Sequence, residues 1–170
     1  SPSQGNHDEQ TNYVDFVDEL ASSTSYFTTF SKSRTSHAIV TKIGGVDQLI
    51  VSLGCGFPEM SFLKEQVDAH PGMPTIVHSH ILVHGTSIVP PPRDSREWST
   101  CPFSSPDYPT WSEEEIKQYF YETHQIYLLA GGHFVHMSAE LAAQRDPNHP
   151  LLLAEEDQSG IGRLGAPYGG

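Results

Sequence analysis

The chain has 170 residues, of which 18% are charged, and 21 acidic against 9 basic side chains give a formal net charge of −12 with neutral histidines. This length suits one domain around one hydrophobic core, and the acidic balance argues against a nucleic-acid backbone or an anionic membrane as partner. No apolar run approaches the ~20 residues that span a bilayer, and the opening SPSQGNHDEQ holds no apolar signal-peptide core; with no initiator Met the compartment is not readable from this start and stays unknown, the cytoplasm being only favoured.

Residues 1–11 are polar and expected to be disordered. A folded domain is expected over 12–145, followed by a tail over 146–170. From Tyr13, the apolar positions Val14, Val17 and Leu20 with acids between them predict an amphipathic helix reaching about Phe30. Its second half, SSTSYFTTF, is rich in poor helix formers, so that boundary is loose. HAIVTKIGGVDQLIVSLG then offers two β-rich runs around Gly44-Gly45, the pattern of a hairpin. Met60, Leu63 and Val67 fall at helical spacing, PGMP ends that helix, and the short strand TIVHSH follows.

Residues 81–111 carry six prolines and no sustained period, so a long ordered loop is expected there. Ser112 with Glu115 three residues later has the spacing of a capping box, opening a helix with an apolar face of Ile116, Tyr119 and Phe120. The triplet Glu113-Glu114-Glu115 reads as a solvated first turn favoured by the helix dipole. QIYLLAGGHFVHMSAE reads as strand, Gly131-Gly132 turn and strand, and AELAAQ as a short helix. Helices alternating with locally paired strands imply an α/β (α+β) fold, a mixed sheet flanked by helices.

Chemistry concentrates at His78 and His80. Residues i and i+2 of an extended chain share a face, so the two imidazoles sit side by side while Ser79 faces away. Imidazole is the commonest zinc ligand, and a catalytic zinc needs three protein ligands with one position open to water. A third ligand has to come from a segment that folds back to this strand end. The long loop supplies FSSPD, in which Ser104 precedes Asp107 by three residues, a spacing that lets the hydroxyl close a turn while the carboxylate points inward.

His78-Ser79-His80 followed by Ser104-Ser105-Pro106-Asp107 resembles the His-x-His…Ser-x-x-Asp signature of JAMM/MPN metalloproteases, and the closing HQIYLLAGGHFVHMSAE looks like the final hairpin of the bacterial RadC-type branch. The resemblance spans about residues 34–141. It implies a three-layer architecture of the JAMM and cytidine-deaminase kind, with Zn2+ held by His78, His80 and Asp107 and Ser104 stabilising the oxyanion. The implied activity is cleavage of peptide or isopeptide bonds in protein substrates, including ubiquitin-like C-termini. The chain departs from the pattern in having Ile81 where the family has Pro and in a longer gap between His80 and Ser104. The family's catalytic Glu would fall near Ser36 or His37, yet no Glu lies between Glu19 and Glu59. The role is left to Glu59, Glu19 or His37, or to no residue at all, in which case the chain is a non-catalytic binding module.

A rival resemblance is to zinc-dependent class II aldolases, with Glu59 as acid/base and His78, His80 and His133 as ligands, although the phosphate cradle of that family is missing. His84 reads as a loop residue, and His133 and His136 as exposed flanks of a turn, either of which could replace Asp107. Cys55 and Cys101 are too few for a disulfide framework, although one bridge is possible; Cys55 within LGCG is the weakest nucleophile candidate.

Overall fold

A computed structural model describes residues 15–16, 18–19, 22, 27–54, 58–85, 87–88, 110–132 and 137–156. The glycine pair sets the first hairpin. β2 (His37–Ile43) and β3 (Val46–Leu53) pair antiparallel down to Ile43↔Val46. Gly44 and Gly45 take φ of 60° and 85°, as a two-residue type I′ turn requires. β1 (Phe27–Phe30) pairs with β2. The helix expected to reach Phe30 therefore stops short: helical backbone is found at Asp15, Phe16, Asp18, Glu19 and Ser22. Aromatic and β-branched residues in FTTF favour a pleated strand beside β2 over a helical turn.

Helix α1 (Met60–Ala69) follows, buries Met60, Phe62, Leu63, Gln66 and Val67, and leads into β4 (Thr75–Ser79). Helix α2 (Glu113–Glu122) opens with the capping box, Ser112 Oγ accepting from Glu115 N while the Glu115 carboxylate accepts from Ser112 N. This settles two otherwise orphaned N–H groups. β7 (Ile126–Gly131), β8 (Met137–Leu141) and β9 (Leu152–Glu156) complete a seven-stranded sheet ordered β1-β2-β3-β4-β7-β9-β8. Val83–His84 (β5) and Ser87–Ile88 (β6) form a separate small ribbon inside the segment expected to be loop.

The sheet is mixed, as expected. β3, β4, β7 and β9 run parallel, with antiparallel strands at both ends. The β3-α1-β4 and β4-α2-β7 crossovers step the same way across the sheet, so right-handed connections set both helices on one face. The core agrees: Ala38, Val51, Val77, Leu129 and Leu153, abreast in the ladder, cluster with Met60, Leu63, Ile116 and Phe120. The opposite face carries Ile50, Ile76, Leu128 and Leu152, all half-buried. No helix among the described residues is long and apolar enough to cross a membrane.

The C-terminal part departs from the sequence reading. β7 and β8 do not pair with each other; β9, from the stretch read as tail, lies between them, parallel to β7 and antiparallel to β8. Ala139–Leu141, read as the start of a helix, belongs to β8. LLLAEE is a short apolar run without polar alternation, as suits a strand flanked by two others, and local pattern does not reveal such pairing.

Candidate functional site

The site is built on one row of the ladder. His37, Ser52, His78, Ala130, Ala154 and Ala139 lie abreast on six strands, His37↔Ser52↔His78↔Ala130↔Ala154↔Ala139. In-register neighbours project to the same face, so the imidazoles of His37 and His78 flank a serine, and three alanines continue the row. Missing side-chain bulk beside His78 opens a cavity of about 820 Å³, lined among others by His78, His80, Gly131, Ser138 and Glu155. It lies beyond the carboxyl ends of the parallel strands, where open α/β sheets bind ligands. His80 follows β4 directly, and its carbonyl accepts a hydrogen bond from Gly132 N at 3.1 Å. His78 and His80 thus reach one cavity, as their spacing predicts. Ser79 is buried and donates to Gly54 O at 3.4 Å.

Both row imidazoles are neutral at neutral pH. Burial, with a smaller contribution from the nearby His78, pulls the pKa of His37 down to about 4. Burial likewise pulls His78 down to about 4. A neutral imidazole is the form that binds a metal or accepts a proton. His78 Nε2 is buried and has no hydrogen-bond partner among the described residues, an arrangement that costs free energy unless a ligand, ion or water completes it. The ring of His37 packs 6.1 Å from that of Phe30, and the Arg34 guanidinium lies 5.3 Å over the other ring of that pair, Phe30.

The neighbouring strand ends are tied together. Ser36 Oγ accepts from Gly54 N at 3.0 Å. Glu59, just before α1, is buried, and its carboxylate accepts from Ser33 Oγ at 2.8 Å and Thr35 Oγ1 at 3.3 Å. Its visible work is to clamp the β1–β2 turn onto the start of α1, and it does not line the cavity. The clamp needs Gly54, because a Cβ there would lie 2.8 Å from Thr35 Oγ1. On the far wall, the buried Glu155 accepts from Gly85 N at 2.8 Å and has His84 Nδ1 at 3.4 Å. Ser138, paired with Glu155, buries an Oγ that has no hydrogen-bond partner among the described residues.

Ser104, Asp107, His133, His136, Cys55 and Cys101 lie outside the described residues. Glu19 is exposed on the N-terminal helical segment. Glu155 was missed because it falls in the stretch read as tail.

A second constellation was also missed. His124, Asp146 and His149 each offer a ligand atom, all within 4.8 Å of one another at the surface, and this group could hold a metal ion. The two rings stack with centroids 4.3 Å apart and planes 16° from parallel. The Asn148 backbone N–H holds the Asp146 carboxyl below its ordinary range, with help from the Asn148 side chain and the two histidines. The only sequence signal was an Asp and a His three residues apart, 22 residues or more beyond His124.

Compared with known proteins, the chain matches no family model and no curated sequence.

Proposed function

We propose that this chain is a zinc-dependent hydrolase of peptide or isopeptide bonds, of the JAMM-like kind, with His78, His80 and Asp107 as the ligands. The observation that carries the reading is the orphaned, buried Nε2 of a neutral His78 beside a cavity that His80 also lines. Two converging imidazoles fit the donor set of a catalytic zinc, which takes nitrogen and carboxylate ligands and leaves one position for water. Bound there, zinc supplies a water acidic near pH 7 and polarises the scissile carbonyl.

The chain's own residues divide the remaining work. His37, neutral and two strands from His78 in the same row, takes the water's proton, the role a hairpin glutamate fills in the family that the sequence resembles. This choice over Glu59 rests on His37 sharing the sheet row of His78, whereas Glu59 is tied to Ser33 and Thr35 on the β1–β2 turn. Ser104 donates a hydrogen bond to the carbonyl oxygen as it gains charge. The small-residue row beside His78 leaves room for an extended substrate backbone.

The test is turnover of fluorogenic peptides and isopeptide-linked ubiquitin-like conjugates by the zinc-loaded chain. Replacing His37→Gln is expected to lower kcat by roughly 10²–10⁴-fold with zinc content unchanged. A fully loaded wild type that cleaves none of these substrates would sink the hydrolase and leave a binding module.

A further inference from the structure

We infer that His124, Asp146 and His149 form a second metal site, specific for a borderline divalent transition ion such as zinc, which clips the α2–β7 turn to the β8–β9 connection. The cluster sits at the amino ends of β7 and β9, the opposite end of the sheet from the His78 cavity.

The backbone of the site is already fixed. Arg145 is buried and reaches from the β8–β9 connection to carbonyls around the α2–β7 turn. It donates to Thr123 O at 3.0 Å, to Ile126 O at 3.2 Å and to Phe120 O. Its Nε donates to His149 O at 2.7 Å. One guanidinium therefore holds the segment bearing Asp146 and His149 against the segment bearing His124. Within the connection, His149 N donates to Asp146 O at 2.9 Å. Asn148 sends its backbone and side-chain N–H groups to Asp146 Oδ1 at 2.9 Å and 3.1 Å. Both bonds go to Oδ1, which leaves Oδ2 for an ion.

The donors select the ion. Two imidazole nitrogens and one carboxylate suit zinc, cobalt, nickel or copper, whereas calcium and magnesium demand oxygen shells. Bonds of about 2.0–2.1 Å in a tetrahedral shell put ligand atoms ~3.4 Å apart. The ligand atoms lie within 4.8 Å of one another, and closing the shell takes side-chain rotations that open the stacked His124 and His149 rings, 4.3 Å apart and 16° from parallel, while the backbone stays put. Water fills the remaining position, which makes the site a structural clip with an exchangeable ion.

The experiment is zinc titration of the chelator-stripped full chain by calorimetry, beside a His124→Gln/His149→Gln variant whose fold is checked by far-ultraviolet circular dichroism. The variant is expected to bind one equivalent fewer than wild type and to lose part of the zinc-induced rise in Tm. Asp146→Asn, which keeps the side-chain shape, is expected to weaken that same equivalent at least tenfold. Equal stoichiometry and affinity in wild type and both variants would overturn the site, as would a wild type that binds no zinc. A wild type binding one equivalent that the double variant loses would support this clip while removing zinc from the His78 cavity, so the two proposals fail separately.

Discussion

Two groups of histidines occupy opposite ends of one sheet, His37 and His78 on β2 and β4 and His124 and His149 just before β7 and β9, roughly 20 Å apart at the rise of an extended chain. At the carboxyl ends, His37 and His78 are buried and held neutral, and His78 has a nitrogen with no hydrogen-bond partner among the described residues. At the amino ends, His124 and His149 stack in the open beside a carboxylate, on a backbone braced by Arg145. The first arrangement has the low-dielectric, cavity-facing character of a place for chemistry. The second has the exposure and bracing of a place for support. Similar ligand types thus take different work from their surroundings.

The contrast can be broken by substitution. His78→Ala is expected to remove all hydrolytic activity and one zinc equivalent, whereas His124→Gln leaves activity per folded molecule unchanged; assays on both variants at saturating zinc decide this. If His124→Gln stops turnover and His78→Ala does not, the assignment of roles is reversed.

Acid separates the regions next. A folded-state pKa lowered from 6.5 to about 4 means that His37 and His78 contribute stability above pH 6.5 that is lost as the pH falls toward 4. The loss amounts to roughly 3 kcal/mol per imidazole at most. Urea melts of the metal-stripped chain between pH 7 and pH 4 check the sign, and His37→Gln is expected to flatten the slope. A stability that rises on acidification would contradict the burial of these rings.

Arg145→Met tests the support region. It strips hydrogen bonds from the carbonyls of Phe120, Thr123, Ile126 and His149. The expected cost is about 2–3 kcal/mol, read by urea melts, together with weaker zinc binding at the surface cluster and none lost at the cavity. The smallest effect belongs to Gly54→Ala. The added methyl must displace Thr35, costing roughly 1–2 kcal/mol and loosening the turn that precedes His37, with kcat falling more than zinc affinity.

Legibility from sequence followed the range of the interactions. The β2–β3 hairpin was readable because Gly44-Gly45 demands its turn, and α2 because Ser112 and Glu115 cap it within one helical turn. The His78 and His80 pair was readable from the two-residue strand period alone. His37 is one of several stand-ins the sequence offers for a missing glutamate, but its place in the same row as His78, two strands away, depends on two strand registers that no local pattern sets. Arg145 looks like any surface arginine until the carbonyls it serves are brought together from 19 to 25 residues away. β9 hid for the same reason, since its place in the sheet depends on parallel pairing with the more distant β7, Leu128 against Leu152.

The late arrival of β9 in the middle of the sheet has a consequence for how the protein is made. While the chain emerges from the ribosome, β7 presents an open edge and β8 has no neighbour, since the strand between them is synthesised after both. The amino-terminal hairpin can close early, but the cavity wall carrying Glu155 is assembled only when Glu156 has left the exit tunnel. A nascent chain halted before that point exposes two unsatisfied strand edges, an invitation to pair with a neighbouring polypeptide.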